Sequence, residues 1–205
     1  MIIDVHVHLP VGFTRELGKE MLAAAARCEI GMMIVSDLGD WSQFPADDVI
    51  RQANERAAAF AASAQERVRW LVYLNPQSNC WREELERGIA AGTIGIKLWI
   101  SLKDSTGGLN HTRTVLAEAA MRRLPVLLHV YNRTGGNLPG EISIEEFTEL
   151  SRLVPECTMI AAHCGGNWRT SLGMIKQCGE RVFLDVSGGA PEYGMVDTLI
   201  ATEGV

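Results

Sequence analysis

Seven short apolar runs, each followed by a stretch with helical spacing, constrain this chain more than any other feature of its sequence. The runs are rich in Val, Ile and Leu and fall at residues 1–8, 31–38, 69–74, 93–100, 125–131, 158–164 and 181–186. Strands covered by helices on both faces read as unbroken hydrophobic runs, so these are expected as buried parallel strands. Helices are expected over 14–29, 46–66, 80–91, 111–124, 143–154 and 167–178, with Thr14 as an N-cap ahead of Glu16, and a last helix beginning near Pro191. Alternating β/α units of this size have two common outcomes, an open doubly wound sheet or a closed (β/α)8 barrel. The residues after the first run, Leu9-Pro10-Val11-Gly12-Phe13-Thr14, carry no glycine-rich nucleotide fingerprint. The expectation is therefore a TIM-like (β/α)8 barrel, one domain over residues 1–205, with seven units present. Because such barrels usually need about 250 residues, the eighth strand is expected to be missing and the domain C-terminally truncated.

A net charge of −6 and the lack of any basic run argue against nucleic acid or an anionic membrane as partner. The apolar runs are far too short to span a bilayer, and a strand starting within two residues of Met1 leaves no room for a signal peptide, so the cytoplasm is expected. Five cysteines with no C-x-x-C pair indicate neither a disulfide framework nor a cysteine zinc knuckle. Cys164 stands apart because it follows a histidine of interest, where a free thiol could compete for a metal.

The histidines are not scattered. His6, His8, His129 and His163 sit at or near the ends of expected strands, and only His111 lies elsewhere, at a helix start suited to a cap or surface role. In a barrel, active groups come from the C-terminal ends of several strands. Alternation along the first strand predicts Asp4, His6 and His8 on one face, and imidazoles two residues apart can converge on one ion. The same logic turns Ile96 and Leu98 outward and Lys97 into the lumen, sets His129 inward with Leu127, and sets His163 inward with Ala161. Inward lysines and histidines cost several kcal/mol unless a metal or a dense hydrogen-bond network compensates them.

Taken in order, D-V-H-V-H at strand one, G-I-K-L at strand four, L-L-H-V at strand five, A-A-H-C-G-G-N-W at strand six and L-D-V-S-G at strand seven resemble the amidohydrolase superfamily. The likeness is to its amidohydrolase-related branch, which also holds aminocarboxymuconate-semialdehyde decarboxylase. The resemblance implies that His6, His8 and His129 bind a divalent metal, usually zinc, with one ion favoured over two. It implies that His163 either binds a second ion or contacts water and substrate. Lys97 would be a carboxylated bridge between two ions or a charged group beside a single one. The family's further metal ligand, an aspartate ending strand eight, has no counterpart in this sequence. Asp185 is expected as a partner behind a histidine rather than as a replacement ligand, and Asp4 either as a similar partner or simply as a buried carboxylate close to the cation.

Substrate contacts are expected from the loops after the strands, with Trp99 and Arg133 as candidates; Arg133 could grip a carboxylate with two prongs or simply be solvated. Gly135-Gly136 and Gly165-Gly166 fit either anion-binding turns or tight turns. The first functional expectation is a metal-dependent hydrolase acting on a C–N or C–O bond of a small, carboxylate-bearing molecule, through metal-activated water and with His163 and Lys97 as catalytic groups. The alternatives are a metal-dependent non-oxidative decarboxylase and a non-catalytic metal-binding barrel lacking the strand-eight aspartate. A small molecule is the expected partner, with self-association into a homo-oligomer left open.

Overall fold

The computed structural model describes residues 1–64, 66–188 and 194–203. Its strands are β1 (Ile2–His8), β2 (Ile30–Ser36), β3 (Val68–Trp70), β4 (Val72–Leu74), β5 (Ile96–Leu98), β6 (Val126–Leu128), β7 (Met159–Ala161) and β8 (Val182–Leu184). Its helices are α1 (Arg15–Arg27), α2 (Asp47–Ser63), α3 (Trp81–Ala90), α4 (Asn110–Met121), α5 (Ile144–Leu153), α6 (Trp168–Ile175) and α7 (Met195–Glu203). Every ladder is parallel, in the order β1-β2-β3 and β4-β5-β6-β7-β8. The expected third strand is thus two short ones. Leu71 hands the ladder from one neighbour to the other, its own N–H going to Val35 O while that of Val72 goes to Gly95 O.

Seven strand positions, each followed by a helix, reproduce the predicted architecture of parallel strands and covering helices. The strands are shorter than their apolar runs, because the chain leaves the ladder once its side chains reach the loop face. The start expected for the last helix, near Pro191, lies outside the described residues. Helix entry follows local chemistry: Thr14 and Asn167 cap α1 and α6, and Ser143 with Glu146 forms a reciprocal capping box on α5.

The inner and outer faces separate as the alternation demands. Val72, Leu74, Ile96, Leu98, Val126, Leu128, Met159 and Ala161 point outward into one large core shared with the helices. Leu71, Leu127 and Ala162 form a smaller cluster on the opposite face. Lys97, in register with Tyr73 and Leu127, is fully buried among them. Among the described residues no ladder joins β1 to β8, and Ile2, Ile3 and Phe183 on these two outer strands stay about half exposed. No helix is long and apolar enough to cross a membrane, among the described residues.

Phe147 of α5 is fully buried in the large core. Phe147→Ala should cost about 3–5 kcal/mol by urea unfolding, whereas Met121→Ala, on an exposed face, should stay within about 0.5 kcal/mol.

Candidate metal centre and active site

The site forms where β1, β5, β6, β7 and β8 end. In β1 the ladder pairs Asp4 with Met33 but Val7 with Val35, so two residues of β1 face one of β2, a bulge at Val5 and His6. The bulge corrects the expected row of three side chains on one face. Asp4 turns its carboxylate back onto the main chain, accepting the His6 N–H at 3.1 Å, instead of standing behind a histidine ring. His6 and His8 do converge, with Nε2 atoms 3.0 Å apart and rings nearly perpendicular at 86°.

Each of the two rings is held from behind. His6 Nδ1 donates to Asp185 Oδ2 at 2.8 Å and also lies 2.7 Å from Ser187 Oγ. The Ser187 hydroxyl spends its own proton on Asp185 Oδ1 at 2.5 Å. His8 Nδ1 is 2.9 Å from Ser36 Oγ. With Nδ1 of His6 committed to an acceptor, its Nε2 carries a lone pair, which Lys97 Nζ meets at 3.0 Å.

A second pair of imidazoles faces the first. His129 Nε2 is 2.6 Å from Glu141 Oε1, and its Nδ1 is 3.2 Å from His163 Nε2. His163 Nδ1 donates to Ser187 O at 3.2 Å. The ring centroids of His163 lie 5.1 Å from those of His6 and 5.0 Å from those of His129. His163 reaches this place by a different route from the predicted one. Ala161 faces outward, so continued alternation would have sent His163 away from the lumen. The strand instead stops at Ala161 and enters a tight turn in which His163, Cys164 and Gly165 all adopt left-handed backbone, with φ of 60°, 47° and 67°. The turn is held by Asp185, whose Oδ1 accepts the His163 N–H at 3.0 Å.

The glycines around the turn are there for room as well as for φ. A Cβ on Gly166 would sit 2.4 Å from Asn132 N and one on Gly188 would sit 2.3 Å from His163 Nδ1. Tight approach, rather than anion binding, is what the Gly165-Gly166 pair provides here.

Burial dominates the electrostatics. It lowers the pKa of His8, with help from Lys97 and His6, to about 2, and that of His163, with help from His129, His6 and Lys97, to about 4. Burial likewise lowers His6 and His129. Lys97 comes down to about 7 by burial, with Asp185 offsetting part of the shift. Burial alone would raise Asp185, yet its bonds with His6 and Ser187 leave it well below the usual carboxylate range. Neutral imidazoles beside ionised carboxylates are what a cation site requires.

Of the other expected site residues, Trp99 is buried with Leu38, Ile50, Tyr73 and Ile100, and Trp41 stands between it and His8. Arg133 applies its two-pronged grip to Glu141, at 2.9 and 3.0 Å, and lies over the Tyr131 ring. Cys164 donates its thiol to Asp185 O at 3.0 Å, and burial pushes its pKa up to about 11, so it rests as a thiol. Ser36, Glu141 and Ser187 escaped the sequence reading. Ser187 lay in the L-D-V-S-G stretch two residues after Asp185; Glu141 had no signal beyond an acid in a Gly- and Pro-rich loop.

A cavity of about 240 Å3 opens on His163, walled by Tyr131, Asn132, Thr134, Asn167, Trp168 and Ser187 among others. Trp168 Nε1 is buried on this wall with no hydrogen-bond partner among the described residues. Two groupings could hold an ion. His6, His163 and Asp185 offer ligand atoms within 4.8 Å of one another, but the Ser187 hydroxyl already bonds to all three. The His6 and His8 Nε2 atoms have only Lys97 between them and an ion, and their 3.0 Å separation suits two ligands about 2.1 Å from one metal. His6 and His8 thus offer two converging nitrogens to a divalent ion, whereas among the described residues His129 does not join them in a three-atom ligand group.

Comparisons with known proteins agree with this fold. The sequence profile of a family described as amidohydrolase matches residues 3–202. No curated protein matches the sequence significantly. Among solved structures, 2,6-dihydroxybenzoate decarboxylase from Rhizobium superposes with a TM-score of 0.68 at 17% identity, over 98% of this chain and 83% of that one. A 4-oxalomesaconate hydratase from Rhodopseudomonas palustris gives 0.66 at 14% identity, over 98% and 78%. A dihydroxybenzoic acid decarboxylase from Polaromonas sp. JS666, with bound manganese and 2-nitroresorcinol, gives 0.59 at 17% identity, over 85% and 68%. A profile match over nearly the whole chain, joined to a parallel β/α fold with imidazoles gathered at its strand ends, makes this chain a member of the amidohydrolase family.

Proposed function

We propose that the protein is a metal-dependent hydrolase that cleaves a C–N or C–O bond of a small, carboxylate-bearing molecule. The observation that carries this reading is the facing pair of nitrogens, His6 Nε2 and His8 Nε2, 3.0 Å apart with both rings anchored from behind. His6, His8 and His129 would hold one ion, with zinc expected. When bound, that ion supplies a Lewis acid that polarises a carbonyl and acidifies water.

The remaining work falls to the chain's own groups. His163, neutral at physiological pH and open to the cavity, is the acid/base group closest to a substrate there. Lys97, brought down to about 7 by burial, would stand beside that ion as a group able to hold or release a proton at Nζ. Asn132, Thr134, Asn167 and the unpartnered Trp168 Nε1 are positioned to orient a polar substrate. A cavity of this size favours a small molecule over a polymer. A non-oxidative decarboxylase using the same ion is the second reading, favoured by the decarboxylases among the similar structures.

Three outcomes are expected. His6→Ala and His129→Ala should each lower zinc content of the purified protein at least tenfold by elemental analysis; unchanged content would remove them as ligands. Zinc-loaded protein offered small carboxylated amides and lactones alongside hydroxybenzoates should release hydrolysis products without CO2, and CO2 release alone would transfer the assignment to the second reading. In the metal-free protein His8 and His163 stay neutral in the fold but charge on unfolding below about pH 6.5, so the unfolded state binds more protons and stability falls as pH drops from 6.5 toward 4. Each contributes a slope of up to about 1.4 kcal/mol per pH unit in that window, so the chelated protein should melt several degrees lower at pH 5 than at pH 7. Equal melting temperatures would show that these rings are not held neutral.

A further inference from the structure

Glu141 lies in the loop after β6 and is fully buried, yet it takes no direct part in the reaction proposed above. Four donors converge on its two oxygens. His129 Nε2 and Arg133 Nη2 reach Oε1 at 2.6 and 3.0 Å, while Arg133 Nε and the Leu138 N–H reach Oε2, each at 2.9 Å. The Arg133 guanidinium lies 4.6 Å over the centre of the Tyr131 ring. Tyr131 in turn stacks on His129, with centroids 6.0 Å apart and planes inclined by 13°. His129, Tyr131 and Arg133 therefore form three layers, and Glu141 clips the two outer layers together.

This arrangement constrains the histidine chemically. An ionised carboxylate only accepts, so the proton of neutral His129 must sit on Nε2. The lone pair is then on Nδ1, the nitrogen that looks toward His163 Nε2 at 3.2 Å. We propose that Glu141 is the positioning residue for His129, fixing the tautomer that aims Nδ1 into the site and, through Arg133, tying the 132–140 loop to that orientation. The inference deepens the metal-site reading and rests on it only where metal affinity is concerned. It also explains why Arg133 is engaged within the protein, because its Nε and Nη2 hold both oxygens of Glu141 in place against His129.

A loop-stapling role for the same contacts would predict something different: Arg133→Ala and Glu141→Ala would loosen the loop alike and leave the imidazole tautomer untouched. The test uses the full chain labelled with 15N-histidine, read by long-range 1H–15N correlation in the metal-free state, together with zinc affinity from competition with a chromophoric chelator. Wild-type His129 should carry its proton on Nε2. Glu141→Ala should give mixed tautomers and a 10- to 100-fold loss of zinc affinity. Glu141→Gln, whose amide oxygen still accepts from Nε2, should retain the tautomer and recover part of the affinity, and Arg133→Ala should retain the tautomer.

A wild-type His129 protonated on Nδ1 would overturn the proposal, and so would a Glu141→Ala protein with tautomer and zinc affinity both unchanged. If Glu141→Ala fails to fold, as judged by circular dichroism, the wild-type tautomer together with Glu141→Gln decides the matter. If His129→Ala leaves zinc content intact while wild-type His129 is protonated on Nε2, the metal assignment fails and the positioning role stands.

Discussion

Gathering four imidazoles and a lysine at the C-terminal ends of apolar parallel strands is tolerable only because every ring has a partner behind it. Asp185 and Ser187 hold His6, Ser36 holds His8, Glu141 holds His129, and the Ser187 carbonyl holds His163. Without these contacts, desolvation of each polar group would cost free energy with nothing in return. With them, one nitrogen of each ring is committed outward and the other is left to point inward. The two carboxylates also supply the negative charge that offsets Lys97 and any cation that enters. The site is thus a set of nitrogens aimed by their opposite ends.

Asp185 is the hub of this arrangement. Its two oxygens receive the His6 ring, the Ser187 hydroxyl and main chain, and the His163 main chain, so it connects the first strand, the turn after β7 and the last strand. Among the described residues no backbone ladder joins β1 to β8, and the contact between these strands at the site is made by side chains. The left-handed turn at His163 depends on the same carboxylate. Stability and site geometry are therefore coupled at one residue, so replacing Asp185 would disturb the orientation of the His6 ring and the turn at His163 together.

Lys97 was legible because Ile96 and Leu98 on either side are strong outward-facing apolar residues and β5 keeps strict alternation through all three. His129 was legible for the same reason, one residue beyond β6. His163 was placed in the site from an alternation that the structure breaks, and a positive-φ turn performs the placement instead. Asp4 was misplaced because a bulge added one residue to β1, and a bulge leaves no periodic signature.

What the sequence determined by itself is the order of parallel β/α units and the delivery of histidines to their C-terminal ends, because hydrophobic period and strand polarity are local properties. Only the tertiary structure decided which partner stands behind each ring. Glu141 lies twelve residues after His129 along a loop without periodicity, and Asp185 meets His6 across 179 residues of chain. Such pairings follow from the paths of loops and turns, which are set by left-handed backbone, close glycine contacts and the need to satisfy buried polar atoms. Those constraints act between distant segments, and no spacing within one segment records them.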